Sequence, residues 1–410
     1  MKPDLVLINI GELVTMSGDS DSLGIVEDGT LAVAGSKILW VGSTKDYKKK
    51  SFARPRILID AAGGLVTPGF VDPHTHLLFA GSREDELQRK VSGESYISIL
   101  KTGGGINRTI RDTREASLGA IVEQSRNRVS QLRKNGVTTI EVKTGYGQDL
   151  RNEVKLLNAI SALSRIERMD LVPTFLGLHA SPPEFKSSSD YVRYAIEVML
   201  PAVARLKPAF SDCFCEEGVF SKEECSRYLR ASQALGLRLK IHADEFEESG
   251  GASLAARAGC VSADHLGKSA REGLDEMAEK NVVAVLLPGT SLFSGIRFAD
   301  AKAVRDAGCQ IALGTDLSPN SWIESPQFVM ALACVGMRMT PAEVLRGFTV
   351  NAAKAIGRPD LGRLAPGCAA DFVLHRLPSH RFLPYRVGGN YVEKVFKGGV
   401  VVHSASWNSD

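Results

Sequence analysis

Hydrophobic and polar positions alternate along this chain in two rhythms, which divide it into three parts. The first 65 residues carry short β-rich runs, DLVLINI, GTLAVAGSKILWVGS and PRILIDAAGGLV, separated by Gly, Ser and Asp turns. The tail repeats that texture, since AADFVLHRL and YVEKVFKGGVVVHS alternate around a Gly-rich turn. Between them, apolar runs of strand length alternate with helix-like stretches. Eight such runs stand out: LVTPGFVD (65–72), TTIEV (138–142), LVPTFLGL (171–178), FSDCFC (210–215), LRLKI (237–241), CVSAD (260–264), VVAVLL (282–287) and CQIALG (309–314). Ala116 to Lys134 places Ile121, Val122, Val129 and Leu132 at helical spacing. Ser221 with Glu224 forms a capping-box pattern, and Thr340-Pro341-Ala342-Glu343 forms a second with Pro at the first helical position. Eight strands alternating with helices predict a (β/α)8 TIM barrel of α/β class, with a doubly wound open sheet as the structural alternative. The matching ends predict one small β-sandwich domain built from residues 1–65 and 366–410, around a barrel of residues 66–365.

Composition narrows the function. Of 410 residues, 44% are hydrophobic and 24% charged, which excludes disordered, collagen-like and coiled-coil chains. Fifty basic against 47 acidic residues leave a net charge of +3, too little for a nucleic-acid binder. The opening MKPDLVLINIGELVT lacks the pattern of a signal peptide. The uncharged stretch from Val282 to Ile296 is too short to cross a bilayer and is broken by Pro288 and Gly289, so no membrane association is expected. Seven cysteines are scattered from Cys213 to Cys368, and the close pair Cys213 and Cys215 lies in an apolar run. Reduced thiols in a cytoplasmic protein are the expectation.

A barrel's chemistry sits at the C-terminal ends of its strands. The residues closing the eight runs are His74 and His76, Lys143 and Tyr146, His179, Glu216, His242, His265, Pro288 and Asp316. Five of the eight histidines fall there; His375, His380 and His403, in the tail, read as surface or packing residues. Asp72-Pro73-His74-Thr75-His76 puts two imidazoles on one face, able to grip a metal ion. Taken alone, an H-x-H is more often structural, but His242 offers a third nitrogen and Asp316 a carboxylate. Three His and one Asp suit zinc or ferrous iron. Glu245, three residues past His242, either faces the same cavity or supplies helix N-terminal charge. His265 is either a core histidine or a member of the converging set. Gly103-Gly104-Gly105 lacks the Lys-Ser/Thr of a phosphate loop and reads as a loop over the barrel mouth. Arg83 is either a solvated salt-bridge partner or a clamp for a substrate carboxylate.

With these residues in place, the chain resembles the amidohydrolase superfamily, a metal-bearing barrel with a β-sandwich made from both ends. Within it, the stretches PGFVDPHTHLLFAGSREDE, GGGINRTIRDTREAS, TTIEVKTGYG, PTFLGLHASPPE, KIHADEF, SADHLG, LLPGTS, LGTDLSP and LGRLAPGCAADFV resemble the imidazolonepropionase family. EVKTGYG, FLGLHA and HADEF carry that narrower likeness. The resemblance implies hydrolysis of 4-imidazolone-5-propanoate to N-formimidoyl-L-glutamate in histidine breakdown, with one zinc or iron per chain. It implies His74, His76, His242 and Asp316 as metal ligands and His265 as proton shuttle, working with Asp316. Arg83, Tyr146, His179 and Glu245 become substrate contacts, with Glu245 also close to the catalysis. Ser318, Asn320 and Ser321 join those contacts, on a segment reading Asp316-Leu317-Ser318-Pro319-Asn320-Ser321 where the family usually has Asp-x-Asn-Pro-Gly-Ser. Lys143 invites a binuclear site through a carboxylated lysine, which the family does not use. A homodimer with a small-molecule substrate is expected. The alternatives are an aminohydrolase or deaminase of the same superfamily acting on another heterocycle, and a metal-free barrel kept for assembly; four intact ligands argue against the latter.

Overall fold

The computed structural model describes residues 2–18, 22–94, 98–99 and 102–406. The extremities of the expected terminal domain, 1 and 407–410, lie outside the described residues, as do 19–21. Eight parallel strands form one sheet in chain order: β1 (Phe70–Asp72), β2 (Val137–Lys143), β3 (Asp170–Leu178) and β4 (Phe210–Cys215), then β5 (Arg238–Ala243), β6 (Ser262–His265), β7 (Val283–Leu286) and β8 (Ile311–Leu313). Helices connect them, among them Leu118–Lys134, whose N-cap Ser117 accepts the Ala120 N–H. Both expected capping boxes form, with Ser221 and Glu224 bonded reciprocally, and Thr340 and Glu343 likewise.

Among the described residues no ladder joins β1 to β8. The seam closes just beyond the strands instead. The Asp316 N–H donates to the His74 carbonyl at 3.1 Å, and the His76 N–H to the Leu317 carbonyl at 2.9 Å. Asp72 accepts from the Thr315 N–H at 3.1 Å and from its hydroxyl at 2.6 Å. A barrel is therefore the architecture, and the open sheet falls away.

The run 65–72 proves to be two strands. Leu65–Pro68 pairs antiparallel with Phe372–His375 in the terminal sheet, while β1 starts at Phe70. Gly69 makes the switch: a Cβ there would lie 2.4 Å from the Thr138 side chain. Continuous burial on both sides hides the break in the hydrophobic pattern. The terminal strands Leu5–Val14, Ile25–Ala34, Lys37–Ser43, Ile57–Asp60, Leu65–Pro68, Phe372–His375, Val392–Lys397 and Val400–Ser404 form a single eight-stranded sheet, separate from the barrel. It curls so that Leu31, Val33 and Ile38 share one apolar cluster with Phe372, Leu374 and Phe396. The tail histidines pack: His375 bonds Thr67 at 3.0 Å, and His380 bonds Glu12 at 2.7 Å. Lys397 ties the sheet to the barrel through Asp371 at 2.7 Å and Asp170 at 2.8 Å.

Among the described residues no helix is long and apolar enough to cross a membrane. All seven cysteines are free thiols, and Cys213 and Cys215 are buried in β4.

Candidate metal centre

The strand ends bring the polar residues to one place. His74 and His76 follow β1, His242 lies near the end of β5, His265 ends β6, and Asp316 follows β8. All five side chains are buried. The His76 Nε2 lies 3.2 Å from the Nε2 of His74 and 3.2 Å from that of His242. Asp316 Oδ1 is 3.4 Å from His74 Nε2 and 3.5 Å from His76 Nε2. Ligand atoms held about 2.0–2.1 Å from a tetrahedral ion stand about 3.3 Å apart. The donor spacing fits.

Protonation points the same way. Asp264 Oδ2 is 2.6 Å from His74 Nδ1, and Asp212 Oδ1 is 3.2 Å from His242 Nδ1. Ionised carboxylates only accept, so each Nδ1 carries the proton and each Nε2 turns a lone pair to the common point. Burial, with the neighbouring cations, holds the imidazoles of His74, His76 and His242 well below the usual range, hence neutral. Asp316 Oδ1 is buried with no hydrogen-bond partner among the described residues, while Oδ2 accepts from Thr290. Lone pairs facing one another across a buried site are stabilised by a cation between them. These residues fit a metal ion.

His265 converges on the same ligands, since it forms a second potential metal-holding group with His74 and Asp316. Its Nε2 lies 3.6 Å from Glu245 Oε2. Burial lowers its pKa to about 4, leaving a neutral base, and raises the Glu245 carboxyl well above its ordinary range with help from Asp316 and Glu216. His265 (φ 78°), Leu266 (φ 57°) and Asp316 (φ 50°) all adopt left-handed backbone. Such conformations cost on the order of 1–3 kcal/mol each and gather at functional sites.

Lys143 is held by carboxylates beneath the site. Its Nζ bonds Asp212 at 2.7 Å and Glu141 at 2.9 Å. Burial works against its charge, but Asp212, Glu141 and Asp264 outweigh it and raise the pKa above that of an ordinary lysine. An ammonium so held serves as counter-ion to the carboxylates that orient His74 and His242.

Beside these residues, His179 stacks on His76 with centroids 4.9 Å apart, and the Tyr146 ring lies 5.1 Å from that of His179. The His179 Nδ1 is 3.2 Å from the Gly145 carbonyl, which sets Nδ1 as donor and leaves Nε2 to accept. Arg83 is 8% exposed, yet among the described residues its Nε and Nη1 have no hydrogen-bond partner, and Glu86 Oε2 stands 4.0 Å off. Unmet guanidinium donors in a buried place suit a ligand carboxylate. Ser318, Asn320 and Ser321 bond within the protein. The Ser321 hydroxyl donates to the Asp316 carbonyl at 3.0 Å, and Ser318 Oγ accepts the Ser321 N–H at 3.3 Å. Asn320 Oδ1 accepts from Lys90 at 2.7 Å, and its Nδ2 donates to Ser294 at 3.3 Å.

Several supporting residues escape the sequence reading. Glu141, Asp212, Lys240 and Asp264 are fully buried beneath the site; Lys240 also donates to the Pro73 carbonyl at 2.7 Å. Their signal was a charge interrupting an apolar run. Glu153 accepts the N–H groups of Gly145, Gly147 and Gln148, and Glu216 those of Glu245, Phe246 and Glu247. These carboxylates fix the loops that carry Tyr146 and Glu245.

Comparison with known proteins places this geometry. Residues 65–402 match the amidohydrolase family model. An imidazolonepropionase of Geobacillus kaustophilus is 45% identical over 95% of this chain and 96% of its own length. Another, of Clostridium tetani, is 39% identical over 99% and 100%. Among solved structures, a 5-methylcytosine deaminase of Klebsiella pneumoniae superposes with a TM-score of 0.76 at 15% identity, over 99% of this chain and 98% of that one. A triazine hydrolase variant gives 0.76 at 18% identity, over 98% and 94%. These two likenesses speak for the barrel and its terminal sheet alone; the close relatives speak for more. The chain belongs to the amidohydrolase family, among its imidazolonepropionases.

Proposed function

We propose that this protein hydrolyses the ring amide of 4-imidazolone-5-propanoate to N-formimidoyl-L-glutamate, a step of histidine breakdown. The observation that carries the reading is the convergence of three Nε2 atoms and Asp316 Oδ1, together with the unmet donors of the buried Arg83. It is supported by relatives named for this activity at up to 45% identity along nearly the whole chain. His74, His76, His242 and Asp316 would hold one zinc or ferrous ion per chain, which supplies Lewis acidity and a water that ionises near neutral pH.

The chain's own groups do the rest. His265 Nε2 takes the water's proton and returns it to the leaving ring nitrogen, and neutrality in the resting site suits it to begin as base. Asp316 stands beside it to stabilise the charge that forms. Glu245 holds the ring N–H, fixed by Glu216 through its own backbone. Tyr146 and His179 wall the ring, and Arg83 takes the propanoate. Ser321 steadies Asp316 from behind, and Ser318 steadies Ser321. The reading includes a cytoplasmic homodimer, with the free cysteines in favour of the compartment. It also divides the chain at 65/66 and 365/366, with Leu65–Pro68 crossing the first boundary as a strand of the terminal sheet.

The test is turnover of 4-imidazolone-5-propanoate by purified protein, with product and metal analysis. Ring opening without ammonia release, alongside about one zinc or iron per chain, is the expected result. Ammonia release would replace the reading with an aminohydrolase acting on another heterocycle.

A further inference from the structure

Arg83 occupies the position just before the helix Glu84–Val91. Seven residues on, two helical turns along the same face, stands Lys90. Lysines on such helices ordinarily extend their ammonium into water. This one is half-buried, and its Nζ donates to the neutral Asn320 Oδ1 at 2.7 Å. Among the described residues it has no carboxylate at ion-pair distance, the nearby acid being Glu86. Glu86 Oε1 accepts the Gly105 N–H at 2.8 Å, and its Oε2 stands 4.0 Å from Arg83 Nε rather than at ion-pair distance from Lys90. Burial first, and then the charge of Arg83, lower the pKa of Lys90, so the two cations are close enough to feel each other. Arg83 in turn is near enough to His179 to act on that imidazole. Two cations thus share one face of this helix, with unmet donors on Arg83 and, for Lys90, a neutral partner on the loop that follows Asp316.

We propose that Lys90 is a second carboxylate-recognising cation of this site, stationed beside Arg83 by Asn320. The inference rests on the reading of the substrate as a ring bearing a carboxylate arm. A carboxylate has two oxygens and about four lone-pair positions, enough for the Arg83 donors and one ammonium together. Asn320 lies four residues past Asp316, so the Lys90–Asn320 bond also sets the distance between the cationic end and the metal end. That tether selects the length of the arm. Asn320 therefore serves the substrate through Lys90.

The rival role is a latch that merely fastens the helix to the loop. Calorimetry on the metal-loaded enzyme separates the two, using imidazole-4-propanoate and 4-ethylimidazole as probes, on wild type, Lys90→Met and Lys90→Arg. Wild type prefers the carboxylate probe. Losing one charged hydrogen bond in Lys90→Met should erase about 10- to 100-fold of that preference, with metal content intact. Lys90→Arg should keep most of it, which also controls for folding. An unchanged preference in Lys90→Met, or equal weakening of both probes, overturns the proposal. Turnover is read separately. If wild type opens no imidazolone ring yet Lys90→Met still loses the preference, the proposed reaction fails and the carboxylate site stands. If turnover is present and the preference does not move, Lys90 fails alone.

Discussion

The interior of the barrel and the interior of the terminal sheet solve burial in opposite ways. The sheet's core is apolar, built from residues such as Leu7, Leu31, Leu374 and the stacked pair Phe372 and Phe396, whose ring centroids are 4.2 Å apart. The barrel instead buries Glu141, Lys143, Asp212, Lys240 and Asp264, each without exposed side-chain surface, directly under three imidazoles. Buried charge is poor value as stability, since desolvation offsets most of the attraction. What it does provide is orientation: Asp264 and Asp212 fix the tautomers of His74 and His242, and Lys143 fixes Asp212. Stability in one region and placement in the other come from different chemistry.

Substitutions that separate the two currents of function and stability test this contrast. The largest effect should follow His242→Ala, which removes one ligand nitrogen: metal content should collapse and turnover should fall by at least about 10⁴-fold. Full metal occupancy, read by plasma emission, would refute the ligand set. Next comes His265→Asn, expected to lower kcat by about 10²–10⁴ while the metal stays bound; a loss below tenfold would reduce His265 to a packing residue. Lys143→Met leaves Asp212 and Asp264 short of a cation in a dry interior. It should cost about 3–5 kcal/mol in urea unfolding and damage activity as well, through misoriented histidines. Phe396→Ala should cost a similar or slightly smaller amount, about 3–4 kcal/mol, yet leave the kcat of the folded fraction nearly unchanged. If Phe396→Ala alters kcat as strongly as Lys143→Met does, the division between the regions is false.

Much of the barrel was legible because both of its signals are local. Strand runs and helical periodicity lie within ten to twenty residues, and histidines at strand ends point the same way through the alternation of Cβ atoms. Gly69 was not legible as a boundary, since the strands on either side are equally buried and the apolar run passes through it unbroken. The charges under the site were visible but not interpretable: Asp212 inside FSDCFC and Asp264 inside CVSAD become ligand supports only when β4, β5 and β6 lie side by side. The contact of Lys90 with Asn320 spans 230 positions, and nothing near either residue announces the other. Ser318 and Ser321 enter through the family resemblance alone, and the turn that joins them, in which Ser318 Oγ accepts the Ser321 N–H and Ser321 bonds the Asp316 carbonyl, is set by contacts their own neighbours in sequence do not announce.

The way the barrel closes has a consequence for its dynamics. Its seam is sewn by the peptide groups of His74, His76, Asp316 and Leu317, with the Asp72–Thr315 bonds beside them, where other neighbouring strands have a full ladder. An ion held by the side chains of three of those residues, as proposed, would act as a clasp on the two edges of the sheet. Chelation should be felt first as faster deuterium uptake at the amides of His76 and Asp316, ahead of β3 to β5, so that the breathing of the barrel becomes a gauge of its metal.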